Sequence, residues 1–553
     1  MSVFIGYPSF MAYQMMKGKK GNNDGFPSIP GMIARYSALG LTNEEMSKNP
    51  VWKDLTGNGH DLQMKNFAWG GMSGVGGYSD NFSSDSWKKP SDRSDITWTS
   101  SSFNITRVMN TGVQIYYFSK WEESESVIPE KRIIVKGLED GQVLRYMNVG
   151  NRIIEISQDG IYTIPSFTFK GANSYHGYSL AKKQESCNVT VEQLPLYPGA
   201  LVFDGVDDYG ICNNFPILTK EKGYTVVALR QWLSRPTDSI YGLISNTKNW
   251  FTDGAFIFEY QNNSKRGTTT PISFGQTSVR VLQSGVLSYQ TSLKYNEFSI
   301  VPGNFEASER LIVGSAQSAR HFANAAIWEI CILDHDATEE ELTNIKDYFV
   351  KTYPWLFPDQ AWTVTGKTNE DTDRATIANI TGNGNDLILS NFGFAEGSGY
   401  NEEGEYAGYL VTDGVDDSGR AVNVTTEKDF TLVGEWKLFS DTSNNAGLSI
   451  HPQIHIFNRP ESIRITFRSA GKTLPVKSLK AICSDGRCYD KDWNELHINV
   501  GNFTNNTGTL FVGSNGGNYT KTAFKNLSLY NNQIFSKEDC IKAYNYLQTL
   551  KAK

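Results

Sequence analysis

Two pairs of adjacent aspartates stand in the same five-residue motif at distant places in the sequence. Asp207 and Asp208 end the motif Asp-Gly-Val-Asp-Asp at 204–208, and Asp416 and Asp417 end its copy at 413–417. Calcium binds several carboxylate and carbonyl oxygens, so Asp207 and Asp208 are candidate calcium ligands. The same motif also makes tight turns, in which acids cap backbone amides and the glycine takes a positive φ. We interpret both motifs as turns, with calcium as the alternative and no cofactor required.

Tryptophans are the second group of residues with a chemical use, because sugar rings stack on the apolar faces of aromatic side chains. Trp69 and Trp232 are the candidate glycan-binding residues, and Trp69 is the stronger because it lies in a glycine-rich loop. Trp250 and Trp436 are further candidates. The alternative is that these side chains belong to the core, where most tryptophans of β-sandwiches lie.

Few residues of the sequence point to catalysis. The seven histidines are scattered, and neither a nucleophile elbow nor a metal-ligand pair is present. Cys483 and Cys488 flank a Ser-Asp-Gly-Arg turn, where either a disulfide or free thiols fit; we expect free thiols. We therefore predict that the protein is not an enzyme.

An internal repeat organises the chain. Its landmarks recur in the same order: Asp54–Leu62 with Asn379–Leu387, Asp204–Asp208 with Asp413–Asp417, Tyr295–Phe305 with Trp493–Phe503, and Leu311–Ser315 with Leu510–Ser514. Each copy closes on a predicted helix with a capping box, from Thr338 to Glu341 and from Ser536 to Asp539. A repeat this long predicts two copies of one domain.

The first copy holds an insertion that the second lacks. Tyr78 and Leu201 are 123 positions apart, whereas their counterparts Tyr400 and Leu410 are 10 apart. Apolar runs separated by turn signals predict strands within the insertion. The predicted organisation is an N-terminal extension (1–34), a first domain (35–83 plus 197–352), an inserted β domain (84–196), a linker (353–360) and a second domain (361–553).

The repeat resembles the laminin-G-like and concanavalin A-like jelly rolls. The first copy has Phe203-Asp204-Gly205-Val206-Asp207-Asp208-Tyr209 in full, whereas the second has Thr412 and Ser418 in place of the aromatic residues. The resemblance covers most of the chain. It implies an all-β fold with two tandem β-sandwiches, the first interrupted by an inserted small β-sandwich domain.

Some relatives of that fold are glucanases, whose carboxylates follow a Glu-x-Asp-x-x-Glu spacing on one strand. The nearest approach here is Asp490-x-Asp492-x-x-Glu495, which starts with the wrong acid. The first copy has no equivalent acid pair before Glu297. We interpret Glu297 and Glu495 as turn or strand-edge residues.

A narrower resemblance rests on the segments 49–59, 66–69 and 70–74, with their Asn-Pro-Val-Trp and Gly-rich runs. Together they are similar to structural proteins of crAss-like and other Bacteroidales phages, including head-fibre and tail-associated proteins. This resemblance implies a virion protein.

Bulk properties agree with such a protein. The net charge of −7 argues against a nucleic-acid partner, and no apolar run is long enough to span a membrane. The N-terminus lacks the pattern of a secretory signal, so we expect synthesis in the host cytoplasm and assembly into the virion.

The function predicted from the sequence is a non-catalytic phage virion structural protein, a fibre or decoration subunit that displays glycan-binding domains for host attachment. We expect residues 1–34 to contact other virion proteins and the subunit to form a homo-oligomer, with a trimer as the simplest expectation. The alternatives are a bacterial surface adhesin or carbohydrate-binding protein and, third, a glycan-active enzyme of the same fold. A host surface glycan is the expected ligand.

Overall fold

The fold was determined as a computed structural model, which describes residues 24–552 apart from 89–95, 108–115, 123–125, 149–150, 170–173, 182–185, 219–220, 235–239, 247–256, 260, 263–274, 276, 284–285, 292–293, 300–308, 318–319, 403–405, 440–445, 460–461, 468–469, 477, 499, 501–502 and 515–516. The chain divides into two compact units: Met1–Gln290 with Tyr295–Phe349, and Thr291–Lys294 with Val350–Lys553. The predicted all-β fold with β-sandwich domains is confirmed, while the exact domain bounds stay predictions.

The first sandwich pairs an eight-stranded sheet with a six-stranded one. In spatial order the larger sheet contains Lys294–Ser299, Val286–Thr291, Thr277–Gln283, Thr225–Trp232, Asn324–Leu333, Leu201–Asp204 and Gly74–Val75, with Met32–Ser37 also paired to Asn324–Leu333. The smaller sheet contains Val51–Trp52, Leu62–Lys65, Tyr209–Cys212, Leu311–Val313, Ile244–Ser245 and Ile257–Phe258. Two-stranded ribbons join Ile240–Tyr241 to Gln261–Asn262 and Ser315–Gln317 to Arg320–Phe322.

The insertion forms two further five-stranded sheets around a core of its own. One contains Gly160–Ile164, Lys131–Lys136, Ser186–Gln193, Ser102–Arg107 and Ile96–Trp98; the other contains Asn151–Ile156, Val143–Asn148, Ser174–Ala181, Tyr116–Glu122 and Trp87–Lys88. A ribbon of Phe167–Phe169 and Ser126–Ile128 accompanies them. Aromatic side chains fill this core, including Phe82, Trp87, Phe103, Tyr146 and Tyr178. The inserted segment therefore has the separate core expected of a small β-sandwich.

The second sandwich is built from two eight-stranded sheets. One contains Gly399–Asn401, Tyr409–Val411, Thr522–Asn531, Phe430–Leu438, Leu479–Cys483, Arg487–Asp490 and Glu495–His497, with Gln360–Thr363 paired to Thr522–Asn531. The other contains Thr376–Ile377, Leu387–Ser390, Ser418–Thr426, Asn506–Val512, Ala446–His451, Ile454–Arg459, Ser462–Phe467 and Ala470–Leu474. A single core of buried apolar residues lies between them.

The strand sequences explain their burial. Leu62–Lys65 and its counterpart Leu387–Ser390 alternate buried and exposed residues, as half-buried strands do. Asn324–Leu333 is buried almost throughout because its side chains are covered on both faces, and its sequence is correspondingly apolar.

Three α-helices, Asn43–Lys48, Glu339–Thr352 and Lys537–Leu547, and the 3₁₀ helix Pro354–Leu356 complete the described secondary structure. The capping box at Thr338 is confirmed, since the Thr338 amide also donates to the Glu341 carboxylate at 2.8 Å, and at Ser536 the N-cap half of the box is confirmed. The Thr338 Oγ1 accepts the Glu341 amide at 3.2 Å, and the Ser536 Oγ accepts the Asp539 amide at 3.1 Å. Within the described part of the chain, no helix has the length and apolar character needed to cross a membrane.

Candidate functional site

The Asp-Gly-Val-Asp-Asp motif of the first sandwich forms the turn between the strands Leu201–Asp204 and Tyr209–Cys212. The Asp204 carboxylate accepts the amide of Val206 at 2.8 Å, and the Asp208 carboxylate accepts the amide of Asp204 at 3.0 Å. Gly205 has a φ of +78°, and a Cβ there would lie 2.8 Å from the Asn324 Cβ. Burial raises the pKa of Asp208 to about 8, so this carboxyl group binds a proton far more readily than an ordinary aspartate.

The second copy repeats this turn. The Asp413 carboxylate accepts the amide of Val415 at 2.7 Å, and the Asp417 carboxylate accepts the amide of Asp413 at 2.8 Å. Burial raises the pKa of Asp417 as well. Gly414 has a φ of +83°. Both motifs are therefore turns held by their own aspartates, in agreement with the interpretation made from the sequence.

Calcium binding at these turns depends on the oxygens that their hydrogen bonds leave available as ligands. In each copy three aspartates, 204, 207 and 208 or 413, 416 and 417, place one carboxylate oxygen each within 4.8 Å of the others. Both oxygens of Asp208 already accept hydrogen bonds, from the Asp204 amide and from the Ser73 hydroxyl at 3.0 Å. Calcium takes six to eight oxygen ligands, and this set supplies too few. The turn role accounts for the acids, and calcium binding at Asp207 and Asp208 stays a prediction.

A loop with an aromatic side chain is fastened to each turn. In the first sandwich this loop is residues 66–73, called here the first aromatic loop. The side-chain nitrogen Nδ2 of Asn66 donates to the backbone carbonyl of Asp207 at 2.9 Å. The Ser73 hydroxyl, which donates to Asp208, also accepts the amide of Ala68 at 2.8 Å. The turn and the first aromatic loop therefore form one hydrogen-bonded unit.

Trp69 lies at the middle of this loop in an unusual backbone conformation. Its φ is 50°, in the left-handed region that non-glycine residues rarely occupy. Its half-buried ring stacks on Phe67 with a centroid distance of 4.7 Å and an interplanar angle of 18°. Phe67 covers one face of the indole, and the side chain also packs against the core of the first sandwich, which leaves Trp69 half-buried.

The second aromatic loop, residues 391–398, has the same geometry with a different ring environment. The side-chain nitrogen Nδ2 of Asn391 donates to the backbone carbonyl of Asp416 at 3.0 Å. Phe394, the counterpart of Trp69, also has a φ of 50°. The Phe394 ring lies against Tyr400 at 6.3 Å, and the Arg374 guanidinium is 4.9 Å from its centroid. Phe394 is therefore already engaged by a ring and a cation of its own sandwich.

The other candidate tryptophans are not at the surface. Trp232 is completely buried, and its indole nitrogen donates to the Glu259 carboxylate at 2.9 Å. A sugar cannot stack on a ring enclosed by the core, so the assignment of Trp232 as a glycan-binding residue is wrong and the core alternative is correct. Trp436 is buried as well, and Trp250 lies outside the described residues.

Trp98, which is 41% exposed, was not among the glycan-binding candidates predicted from the sequence. It ends the strand Ile96–Trp98 of the inserted domain and precedes the turn at 99–102. A tryptophan bordered by Thr97 and Thr99 was the available signal. It was weak because short strands of a sandwich can turn either face to the core.

The remaining sequence candidates have structural roles. All six cysteines are buried free thiols, including Cys483 and Cys488. Asp490 accepts the amides of Asp492 at 2.9 Å and Asn494 at 2.8 Å, and so closes a turn. Glu495 begins the edge strand Glu495–His497, as expected of a strand-edge residue.

Comparisons with known proteins add little to this geometry. No protein-family model matches the sequence, and no curated protein matches it. Among solved structures, a Trypanosoma rangeli sialidase in complex with sialic acid is 7% identical, with 81% of this chain and 82% of that chain covered and a TM-score of 0.25. The binding domain of botulinum neurotoxin serotype D is 10% identical, with 61% and 88% covered and a TM-score of 0.24. Similarities this low carry no argument about fold or function.

Proposed function

We propose that this chain is a structural protein of a phage virion, a fibre or decoration subunit, that recognises a glycan through the first aromatic loop. We also propose that both sandwiches belong to the laminin-G-like and concanavalin A-like jelly rolls. The observation that carries the recognition role is Trp69, a half-buried indole on a loop that hydrogen bonds fasten to the turn at 204–208.

The strained backbone of Trp69 supports a functional role for this loop, although Phe394 has the same φ of 50°, so the indole ring is what distinguishes Trp69. A non-glycine residue in the left-handed region costs about 1 kcal/mol or more, which glycine would avoid. Such strained residues cluster at ligand-binding sites, where the surrounding structure holds them in place. Here the Ser73–Asp208 and Asn66–Asp207 hydrogen bonds hold the loop, and the stacked Phe67 ring fixes the indole.

The position in a virion rests on the resemblance of segments 49–59 and 66–74 to phage structural proteins. We assign the anchor to residues 1–34 and propose a homo-oligomer, in keeping with a fibre or decoration subunit. Within that segment, Asp24 pairs with Arg35 at 2.7 Å and the Phe26 ring lies 3.9 Å from the Arg35 guanidinium. These contacts hold residues 24–26 against the first sandwich, and residues 1–23 of the proposed anchor lie outside the described residues.

Glycan recognition is tested by applying the full-length protein to a printed glycan array. We expect selective binding, weakened about tenfold by Trp69→Ala because an aromatic stacking contact is worth roughly 1 kcal/mol or slightly more. Phe394→Ala is the matched control: it removes the equivalent ring of the second sandwich, which is already engaged, and should change the affinity less than twofold. Binding to none of the glycans, or equal losses in both variants, would contradict the proposal.

The virion assignment needs a separate experiment. A mass-spectrometric protein inventory of purified particles from the phage that encodes this chain should contain it in many copies. Light scattering of the purified protein should report an oligomer of more than one chain, with three chains in the simplest case. Absence from the particles would refute the structural role whatever the array shows.

A further inference from the structure

The described tryptophans fall into two sets by accessibility. Eight of the ten with described side chains are buried. They are Trp52, Trp87, Trp232, Trp328, Trp355, Trp362, Trp436 and Trp493. The two others are Trp69, which is half-buried, and Trp98, which is exposed. Trp69 and Trp98 are therefore the described tryptophans that keep some surface in contact with water.

Trp69 and Trp98 flank one contact between the first sandwich and the inserted domain. Gly70, next to Trp69, lies so close to the inserted segment that a Cβ on it would be 2.6 Å from the Ser100 Cβ and 2.7 Å from the Asn81 Cγ. Ser100 is two residues after Trp98. Gly70 is therefore in close contact with the side chains of Ser100 and Asn81, and a larger residue at position 70 would force them to shift.

Backbone hydrogen bonds fix this seam, defined here as residues 69–71, 78–82 and 98–101. The Tyr78 amide donates to the Gly71 carbonyl at 2.7 Å, and the Phe82 amide donates to the Ser100 carbonyl at 2.9 Å. Beneath them Asp80 forms a buried ion pair with Lys131. Gln193 holds the Asp80 backbone from both sides, at 2.9 Å to its amide and 3.0 Å to its carbonyl. These hydrogen bonds connect the loop that carries Trp69, through residues 78–82, to the turn that follows Trp98.

Among the described residues of the seam, the polar side chains that are not buried carry no charge. Asn81 and Ser100 border the contact, and Thr97 and Thr99 flank Trp98 with exposed side chains. The acid of the seam, Asp80, is buried and neutralised by Lys131. Hydroxyl and amide groups around aromatic faces suit the hydroxyl groups and apolar ring faces of a neutral sugar, whereas an anionic ligand would call for arginine or lysine.

We propose that the inserted domain completes a glycan-binding site at this seam, in which Trp69 and Trp98 stack on different sugar units of one neutral oligosaccharide. The proposal rests on the glycan recognition proposed above and names its ligand class and a second binding residue. It also gives the insertion a function. In the second sandwich the strands Gly399–Asn401 and Tyr409–Val411 pair at the corresponding place, and the sequence between them contains no tryptophan.

The test uses the full-length protein, an array of neutral and acidic glycans, and titration calorimetry with the best-bound glycan. Trp98→Ala should weaken binding about tenfold, and Trp98→Phe should recover most of the affinity because a ring remains. Val127→Ala is the matched control, since Val127 is an exposed apolar residue of the inserted domain outside the seam. It should bind as the unmodified protein does. Circular dichroism should be the same for all four proteins, because Trp98 is exposed.

The outcomes separate this inference from the proposed function. Binding to a neutral glycan that depends on Trp98 and not on Val127 supports both the seam site and the proposed glycan recognition. Binding that Trp98→Ala leaves within twofold, or a preference for acidic glycans, overturns the seam site while glycan recognition stands. Binding to no glycan overturns both. As a second readout, the bound oligosaccharide should protect the unmodified protein from acrylamide quenching more than it protects Trp98→Phe.

Discussion

Replacing Glu259 with glutamine tests the interior of the first sandwich, where the structure places Trp232. Glu259 is almost fully buried and accepts the Arg230 Nε at 2.6 Å and the Trp232 Nε1 at 2.9 Å, while the Arg280 Nε lies 2.9 Å from its other oxygen. Both arginines are buried as well. Glutamine keeps the size of the side chain but removes the charge that compensates two guanidinium groups. Breaking a buried ion pair in this way costs about 3–5 kcal/mol.

The lowered pKa of Glu259 also indicates that its negative charge stabilises the fold. Burial opposes its ionisation, but the charges of Arg230 and Arg280 outweigh burial and lower the pKa. A carboxyl group with a depressed pKa in the folded state stabilises the fold above its unfolded pKa of about 4.3, and this contribution is lost as the pH falls through the folded value. At neutral pH the full effect of Glu259→Gln should therefore be visible.

Hydrogen exchange followed by mass spectrometry measures the loss within one domain of a chain with several domains. A loss of 3–5 kcal/mol should accelerate exchange in peptides covering Thr225–Trp232 by roughly 100-fold to 4,000-fold. Peptides covering Phe430–Leu438 are the internal control. Glu44→Gln is the matched variant, since its ion pair with Lys48 is exposed and worth at most about 0.5 kcal/mol. Acceleration below about fivefold at Thr225–Trp232 would refute the assignment of Glu259 as the counter-charge.

Three further predictions follow from the turns and the helices. Because burial raises the pKa of Asp208 to about 8, the fold should lose stability as the pH rises from about 4 to 8. Asp208→Asn should lessen that loss, which is measured as the difference in unfolding temperature between pH 5 and pH 8. Ser536→Ala removes the cap that accepts the Asp539 amide and should cost about 1 kcal/mol in chemical denaturation; no change would show that the cap is dispensable. Since hydrogen bonds already occupy the turn, EDTA should leave the unfolding temperature unchanged, and a calcium-dependent rise that Asp207→Ala removes would show that the turn also binds the ion.

The sequence predicted those features that depend on local chemistry. The repeated Asp-Gly-Val-Asp-Asp motif predicted two turns because both the caps and the positive φ of glycine lie within five residues. The capping boxes at Thr338 and Ser536 were predicted for the same reason, since donor and acceptor are three residues apart. Matched landmarks in two copies also located the insertion, because a repeat shows where its register breaks.

Features that depend on distant residues could not be predicted in this way. Thr225–Trp232 is buried at every position, so alternation within the strand could not show that Trp232 faces the core. Its partner Glu259 lies 27 residues away, beyond any local pattern. The accessibility of Trp98 depends on how the inserted sheets are arranged, and its nearness to Trp69 depends on the contact between Gly70 and Ser100. The sequence pattern predicted the insertion as a separate domain, and no local pattern indicated its contact with the first sandwich at the seam.

The recognition site is tested most directly by titrating the double variant Trp69→Ala/Trp98→Ala with the glycan that the unmodified protein selects on the array. We expect calorimetry to detect no binding by the double variant, because both stacking surfaces of the seam are gone, while circular dichroism stays unchanged. Phe394→Ala, titrated with the same glycan, should keep the affinity of the unmodified protein. A correctly folded double variant that binds the glycan with unchanged affinity would contradict the central claim that this seam is the recognition site.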